Sequence, residues 1–200
     1  MALKKNISVL LINPKLVRWL LRFIPHRFII RFYSSSLMEH SVLPADSIFS
    51  IVSGYGRGIQ MALRIADKSN VHETYYWLGF VELAVQRLFA KFIKKGFVVY
   101  DIGAYIGFHS LLAGRLAGPS GKIYAFELSP LNIGRLKLNI SLNGMQDSVF
   151  CIPKAVTDIT SKSLCRNSGR DDWNKLVDGS YLDEISYHVH ISKETTKAIS

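Results

Sequence analysis

The chain has 200 residues, 48% of them hydrophobic and 20% charged, and these proportions exclude an intrinsically disordered protein. Its 25 Lys and Arg against 15 Asp and Glu give a net charge of +10. Two cysteines are too few for a disulfide framework or a zinc site, so we expect reduced thiols, no bound metal and a cytoplasmic location.

The first 31 residues are both basic and apolar, with seven Lys or Arg and no acid. A helix here would carry Lys15, Arg18 and Arg22 on one face, with Trp19 and Phe23 largely on another. Prolines and basic residues interrupt every apolar stretch, so no membrane-spanning helix is predicted. Two interpretations stay open. The apolar face packs on protein, as such stripes usually do, or the segment makes peripheral contact with an anionic membrane.

Three segments are predicted along the chain: a basic amphipathic segment over 1–36, a hairpin and helix over 37–96, and a partial nucleotide-binding domain over 97–200. Glycines between two short β-type runs predict a hairpin over about 49–65 and favour a turn over a phosphate loop. The helix of the second segment is predicted over about 79–94.

Residues 98–127 give the strongest pattern in the sequence. An apolar run ends at Asp101 and is followed by Gly103 and Gly107, a helix over about 107–117, and a second strand that ends at Glu127. In an open α/β sheet, a ligand lies across the carboxyl ends of the strands, glycines allow its close approach, and an acid receives a ribose diol.

The spacing and charge of this turn discriminate between nucleoside cofactors. A dinucleotide site needs Gly-x-Gly-x-x-Gly, so that a pyrophosphate can lie on a helix N-terminus. Here the glycines are four positions apart, and Asp101 would repel a diphosphate but attract a cationic group. The pattern therefore favours S-adenosylmethionine over NAD.

A longer set of motifs resembles the FkbM-type class I methyltransferases, with a likeness that covers about residues 56–160. The matching positions are Gly58-Ile-Gln-Met-Ala-Leu63, Tyr76-x-x-Gly79-Phe-Val-Glu82, Lys95-Gly96, Tyr100-Asp-Ile-Gly-Ala-Tyr-Ile-Gly-Phe-His-Ser110, Ala125-Phe-Glu-Leu-Ser-Pro130, Asn132, Leu136, Asn139, Asn143 and Ala155-Val-Thr-Asp158. Family members usually have Asn in place of Tyr105 and Pro in place of Leu128.

The resemblance implies a Rossmann-like sheet, S-adenosylmethionine as cofactor, and O-methylation of a sugar or another small molecule with a hydroxyl group. It implies cofactor contacts from these positions: Glu82, Asp101, Gly103, Ala104, Gly107, Glu127, Leu128 and Ala155. Asp158 is a weaker candidate. The sequence assigns no catalytic base and leaves the oligomeric state open.

Beyond Glu127, Ser129-Pro130 predicts a buried helix that ends at Asn143-Gly144, followed by a strand over about 148–153. Its predicted core residues are Leu131, Ile133, Leu136, Leu138, Ile140 and Leu142. Only three strands of the parallel sheet can be identified, followed by a polar stretch over 157–172 and a β-type run over 185–191. We therefore expect a fragment, or a truncated and inactive product unless a partner chain completes it, since a sheet that stops there leaves an apolar face uncovered.

Two other classes of function remain open. A nicotinamide-dependent oxidoreductase would use a variant of the turn, and a non-catalytic protein would attach to a membrane surface through residues 1–31. No nucleic-acid partner is expected, because the core lacks a basic surface pattern with interleaved aromatic residues.

Overall fold

The structure of this chain is a computed structural model, and the residues it describes are 14–20, 23, 28, 47–65, 72–156, 163–167, 174–177 and 187–189. The chain divides into two units, which are Met1–Ile93 (the N-terminal unit) and Lys94–Ser200 (the C-terminal unit).

The N-terminal unit contains a short helix, a hairpin and two further helices. Helix α1 covers Pro14–Leu20. Strands β1 (Ser47–Ser50) and β2 (Gln60–Leu63) pair antiparallel, which confirms the predicted hairpin. Helices α2 (Glu73–Leu78) and α3 (Leu83–Phe92) follow, so the single helix predicted over 79–94 begins later, at Leu83, and α2 was missed. No helix in the described part of the chain is long and apolar enough to cross a membrane.

A buried glutamine holds the loops of the N-terminal unit together. The Gln86 side chain is fully buried, and its Oε1 accepts a hydrogen bond from the Tyr55 N–H at 3.1 Å. Its Nε2 donates to the carbonyls of Gly79 (3.2 Å) and Val81 (2.5 Å). One buried amide therefore bonds three backbone groups of two loops.

The C-terminal unit contains a parallel sheet built from alternating strands and helices. Its elements are β3 (Val98–Ile102), α4 (Phe108–Ala117), β4 (Lys122–Phe126), α5 (Pro130–Leu142) and β5 (Val149–Ile152). The strands lie in the order β3-β4-β5, each parallel to the next. This arrangement is one half of a Rossmann-like sheet and confirms the predicted α/β class.

Both helices of the C-terminal unit lie on the same face of this sheet. Gly114 of α4 approaches the side chains of Ile123 and Val149, and Gly107, just before α4, packs against Leu136 of α5. The opposite face carries a row of stacked rings, from Tyr100 through Tyr124 to Phe150, with centroids 5.4 and 5.5 Å apart. On that face Val98, Tyr100 and Ile102 are exposed.

Helix α5 begins and ends where predicted, but its buried face differs from the predicted one. Leu136 and Ile140 are buried as expected, whereas Leu131 and Leu138 are 45% and 42% exposed. The predicted core places for those two leucines were therefore wrong. Polar side chains take the buried positions, and these are Asn132, Arg135 and Asn139. The Asn139 Nδ2 donates to the Ile106 carbonyl at 2.8 Å, so its burial serves the loop before α4.

Three further strands form a separate antiparallel sheet in the order β7-β6-β8: β6 (Ser163–Asn167), β7 (Asn174–Val177) and β8 (Tyr187–Val189). Strand β8 lies within the β-type run predicted over 185–191. Strand β6 lies in the polar stretch over 157–172, for which no strand was predicted. The sequence pattern did not indicate it, because β6 is formed by pairing with β7 and β8, which are distant in sequence.

Candidate functional site

Asp101 and Glu127 lie on neighbouring strands at the carboxyl edge of the parallel sheet. Asp101 lies level with Ala125, and Ile102 lies level with Phe126, so Glu127 follows directly at the same edge. The N–H groups of Gly103 and Ala104 both donate to the Phe126 carbonyl, at 2.9 and 2.8 Å. The turn after β3 is thus fastened to the end of β4, and the two acids stand on neighbouring strands.

The Asp101 carboxylate is half-buried and held by a serine that sequence reasoning missed. The fully buried Ser110 hydroxyl, in the first turn of α4, donates to Asp101 Oδ2 at 2.5 Å. Ser110 is the last residue of the Tyr100–Ser110 motif, but only the folded turn shows that its side chain contacts the strand. With Oδ2 oriented in this way, Oδ1 remains the oxygen that can receive a cation or an N–H donor.

Glu127 is buried and accepts hydrogen bonds from several backbone groups. Its Oε2 accepts from the Tyr105 N–H at 2.8 Å. Its Oε1 accepts from the N–H groups of Leu128 (2.9 Å) and Ser129 (2.8 Å), and from Asn132 Nδ2 at 3.5 Å. These donors compensate the burial of a charge. They also join the turn after β3 to the start of α5, while Oε2 retains capacity for one more donor.

The turn between β3 and α4 contains three residues in the left-handed region: Gly103 (φ 80°), Tyr105 (φ 52°) and Gly107 (φ 91°). A side chain at Gly103 would meet no atom within 4 Å, so the backbone there is open to a ligand. At Gly107 a Cβ would collide with Leu136, so this glycine serves close packing between α4 and α5. A non-glycine residue with positive φ is uncommon, and this backbone geometry accompanies the Tyr105 N–H bond to Glu127.

Three apolar positions of the predicted site lie along the same edge. Ala104 is buried in the turn after β3, Leu128 is half-buried after β4, and Ala155 is partly exposed after β5. Their side chains can supply an apolar surface for a nucleobase, but their contacts with a cofactor stay predictions. Asp158 lies outside the described residues.

Cys151 lies on β5 next to this edge and was not predicted as part of the site. Burial raises the pKa of its thiol, the Lys137 ammonium opposes that shift, and the Glu127 carboxylate reinforces it. The Cys151 side chain is a free thiol that stays protonated beyond the usual range for cysteine.

Glu82 belongs to the N-terminal unit, at the residue before α3, where its backbone is left-handed (φ 40°, ψ 53°). Gln86 Nε2 holds the carbonyl of the preceding residue, Val81. The approach of Glu82 to a cofactor stays a prediction. Among the residues that the structure describes, no three His, Cys, Asp or Glu side chains are grouped to hold a metal.

Neither a protein-family model nor a curated protein matches this sequence. Several solved structures match part of it, among them the following three. A protein from Clostridium thermocellum assigned as an rRNA methylase is 20% identical over 34% of this chain, with a TM-score of 0.34. Methanocaldococcus jannaschii Trm5, in complex with adenosine, is 22% identical over 62%, with a TM-score of 0.38. P. horikoshii TYW2, in complex with MeSAdo, is 24% identical over 60%, with a TM-score of 0.38. The chain spans 37%, 34% and 41% of the length of these proteins, respectively.

Proposed function

We propose that the C-terminal unit binds S-adenosylmethionine and forms the cofactor-binding part of an FkbM-type methyltransferase. One observation carries the proposal: two carboxylates stand at the ends of adjacent parallel strands, with an open glycine turn beside them. This is the edge of an α/β sheet at which nucleoside ligands bind.

The residues at this edge fit the chemical groups of the cofactor. A ribose hydroxyl can donate to the remaining lone pair of Glu127 Oε2, and the cationic methionine group can pair with Asp101 Oδ1. The open side of Gly103 leaves room for close approach to the backbone. A dinucleotide fits less well, because Asp101 stands where its pyrophosphate would need N–H donors.

The bound cofactor would supply an electrophilic methyl group. The protein then has to hold an acceptor against that methyl carbon and exclude water. In line with the motif resemblance, we propose an oxygen of a sugar or another small hydroxyl compound as the acceptor. Such a hydroxyl must lose its proton to a positioned base during transfer.

Calorimetric titration of the full chain with S-adenosylhomocysteine tests the cofactor assignment. We expect binding, and we expect Asp101→Asn to weaken it about tenfold, because a charge-assisted contact is lost. Asp147→Asn is the matched control. Asp147 is an exposed acid in the turn before β5, at the other edge of the sheet, so its variant should bind like the parent.

A second pair of variants tests the open turn. Gly103 and Gly144 both have positive φ, and a Cβ at either would meet no atom within 4 Å. Alanine at either position brings similar backbone strain, but only Gly103→Ala places a methyl group at the proposed site. We expect only Gly103→Ala to lower affinity for S-adenosylhomocysteine.

Two results would contradict the proposal. Heat on titration with NADH, and none with S-adenosylhomocysteine, would favour a nicotinamide-dependent enzyme. Absence of binding to either compound by a chain with a cooperative unfolding transition would favour a non-catalytic protein.

A further inference from the structure

Two aromatic side chains, one on helix α1 and one three residues after its end, are exposed to solvent. Trp19 is 55% exposed and Phe23 is 70% exposed, and their ring centroids lie 5.3 Å apart. Phe28, further along the same segment, is 54% exposed. Val17, by contrast, is completely buried.

The helical geometry explains this division. Successive residues are rotated by about 100°, so Val17 and Trp19 point to nearly opposite sides of α1. Val17 therefore lies on the buried side of the helix and Trp19 on the exposed side, where its ring contacts Phe23 from the turn that follows; we call Trp19 and Phe23 the aromatic pair. Of the two interpretations left open by the sequence, the exposure of these rings favours contact with a membrane.

In the sequence, the segment that contains the aromatic pair carries only positive charge. Residues 1–31 carry seven Lys or Arg and no acid, and Lys15, one turn before Trp19, is exposed. Aromatic rings beside lysine and arginine are the residues that anchor proteins at the headgroup level of a bilayer, where anionic lipids attract the cations.

The aliphatic content of this segment separates a membrane from other polyanions. Around the aromatic pair the sequence has several aliphatic side chains, which are Leu10, Leu11, Ile12, Leu16, Leu20, Leu21, Ile24, Ile29 and Ile30. Acyl chains can bury such residues, whereas RNA offers phosphates and flat bases that favour cationic and aromatic side chains.

We propose that the segment around α1 docks on the surface of an anionic phospholipid bilayer, with Trp19 and Phe23 inserted at headgroup depth. This inference is independent of the proposed methyl transfer. It concerns the location of the protein, because a peripheral attachment would keep the chain at a membrane surface.

The test is co-sedimentation of the full chain with phosphatidylcholine vesicles, with and without about 30 mol% phosphatidylserine, which gives a strongly negative surface. We expect binding at least about tenfold tighter to the anionic vesicles, and weaker binding at high salt. Trp19→Ala/Phe23→Ala should reduce binding about tenfold or more, through loss of the inserted rings.

Helix α3 offers a matched control. Leu88 and Phe92 have the same four-residue spacing as the aromatic pair and are 53% and 58% exposed. Leu88→Ala/Phe92→Ala should leave vesicle binding unchanged. Both double variants replace exposed side chains, so each should keep the unfolding midpoint of the parent chain.

Four outcomes would overturn the inference. The first is no binding to anionic vesicles by the folded parent, and the second is equal loss in the two double variants. The third is a dimer in solution without lipid that Trp19→Ala/Phe23→Ala dissociates, which would assign the surface to a second copy. The fourth is binding to single-stranded RNA, with no binding to vesicles, that the same variant abolishes.

Discussion

Among single residues, Glu127 has two roles, one toward the proposed ligand and one toward the backbone. The same carboxylate that faces the proposed ligand site also receives three backbone N–H groups, from Tyr105, Leu128 and Ser129. In the family that the sequence resembles, the position of Tyr105 is usually Asn, a residue that tolerates positive φ well. Here the bond to Glu127 helps to offset the cost of a left-handed tyrosine.

We predict that Glu127→Gln destabilises the C-terminal unit by about 3 kcal/mol, because an amide NH₂ would face N–H donors that need an acceptor. Urea unfolding followed by circular dichroism measures the change. Asp147→Asn, which also removes one negative charge, should stay within about 0.5 kcal/mol of the parent. Equal stability of Glu127→Gln and the parent would mean that these backbone bonds contribute little.

The raised pKa of Cys151 leads to a prediction about pH. The folded chain holds the thiol proton more tightly than the unfolded chain does, so the stability from this group is complete below the ordinary thiol pKa of about 8.5. As pH rises above that value toward the folded pKa, this contribution is lost. In a Cys165→Ser background, alkylation of Cys151 by iodoacetamide should therefore begin at higher pH than for a free thiol. Titration at the ordinary pKa would contradict the prediction.

At the scale of elements, α5 reverses the expected relation between polarity and burial. Asn139 is completely buried because its side chain donates to the Ile106 carbonyl, and Asn143 Nδ2 in turn donates to the Asn139 carbonyl. Asn139 therefore ties the loop before α4 to α5, whereas the Asn143 bond lies within the last turn of α5.

Accordingly, Asn139→Ala should lower the free energy of unfolding by about 2 kcal/mol, since it removes the donor to the buried Ile106 carbonyl. Leu138→Ala should lower it by less than about 0.5 kcal/mol. Thermal or urea unfolding of the two variants compares them directly. A larger loss of stability in Leu138→Ala than in Asn139→Ala would support the buried face predicted from the sequence.

At the scale of the whole molecule, a ligand bound to the C-terminal unit should protect it from opening. S-adenosylhomocysteine at 100 times its dissociation constant adds about 2.7 kcal/mol to the stability of the state that binds it. Hydrogen exchange at the Tyr105, Leu128 and Ser129 amides should then slow by about 100-fold. NADH at the same concentration is the control and should leave these rates unchanged. Unchanged exchange with both compounds would argue against a ligand at this edge.

Much of the parallel sheet could be predicted from local order in the sequence. The apolar runs, the glycines and the Ser129-Pro130 start of α5 act over a few residues, so the bounds of β3, α4, β4 and α5 follow from them. The adjacency of Asp101 and Glu127 follows as well, because parallel strands joined by one helix bring their carboxyl ends to the same edge.

Other features required the packed chain. The donors to Glu127, the bond from Ser110 to Asp101, and the burial of Asn139 instead of Leu138 each join residues that approach one another only after the helices settle on one face of the sheet. The outward direction of Trp19 belongs here too, since an amphipathic pattern gives the angle between two side chains but not which of them meets protein. Periodicity is a property of neighbouring residues, whereas burial depends on which distant surfaces come together.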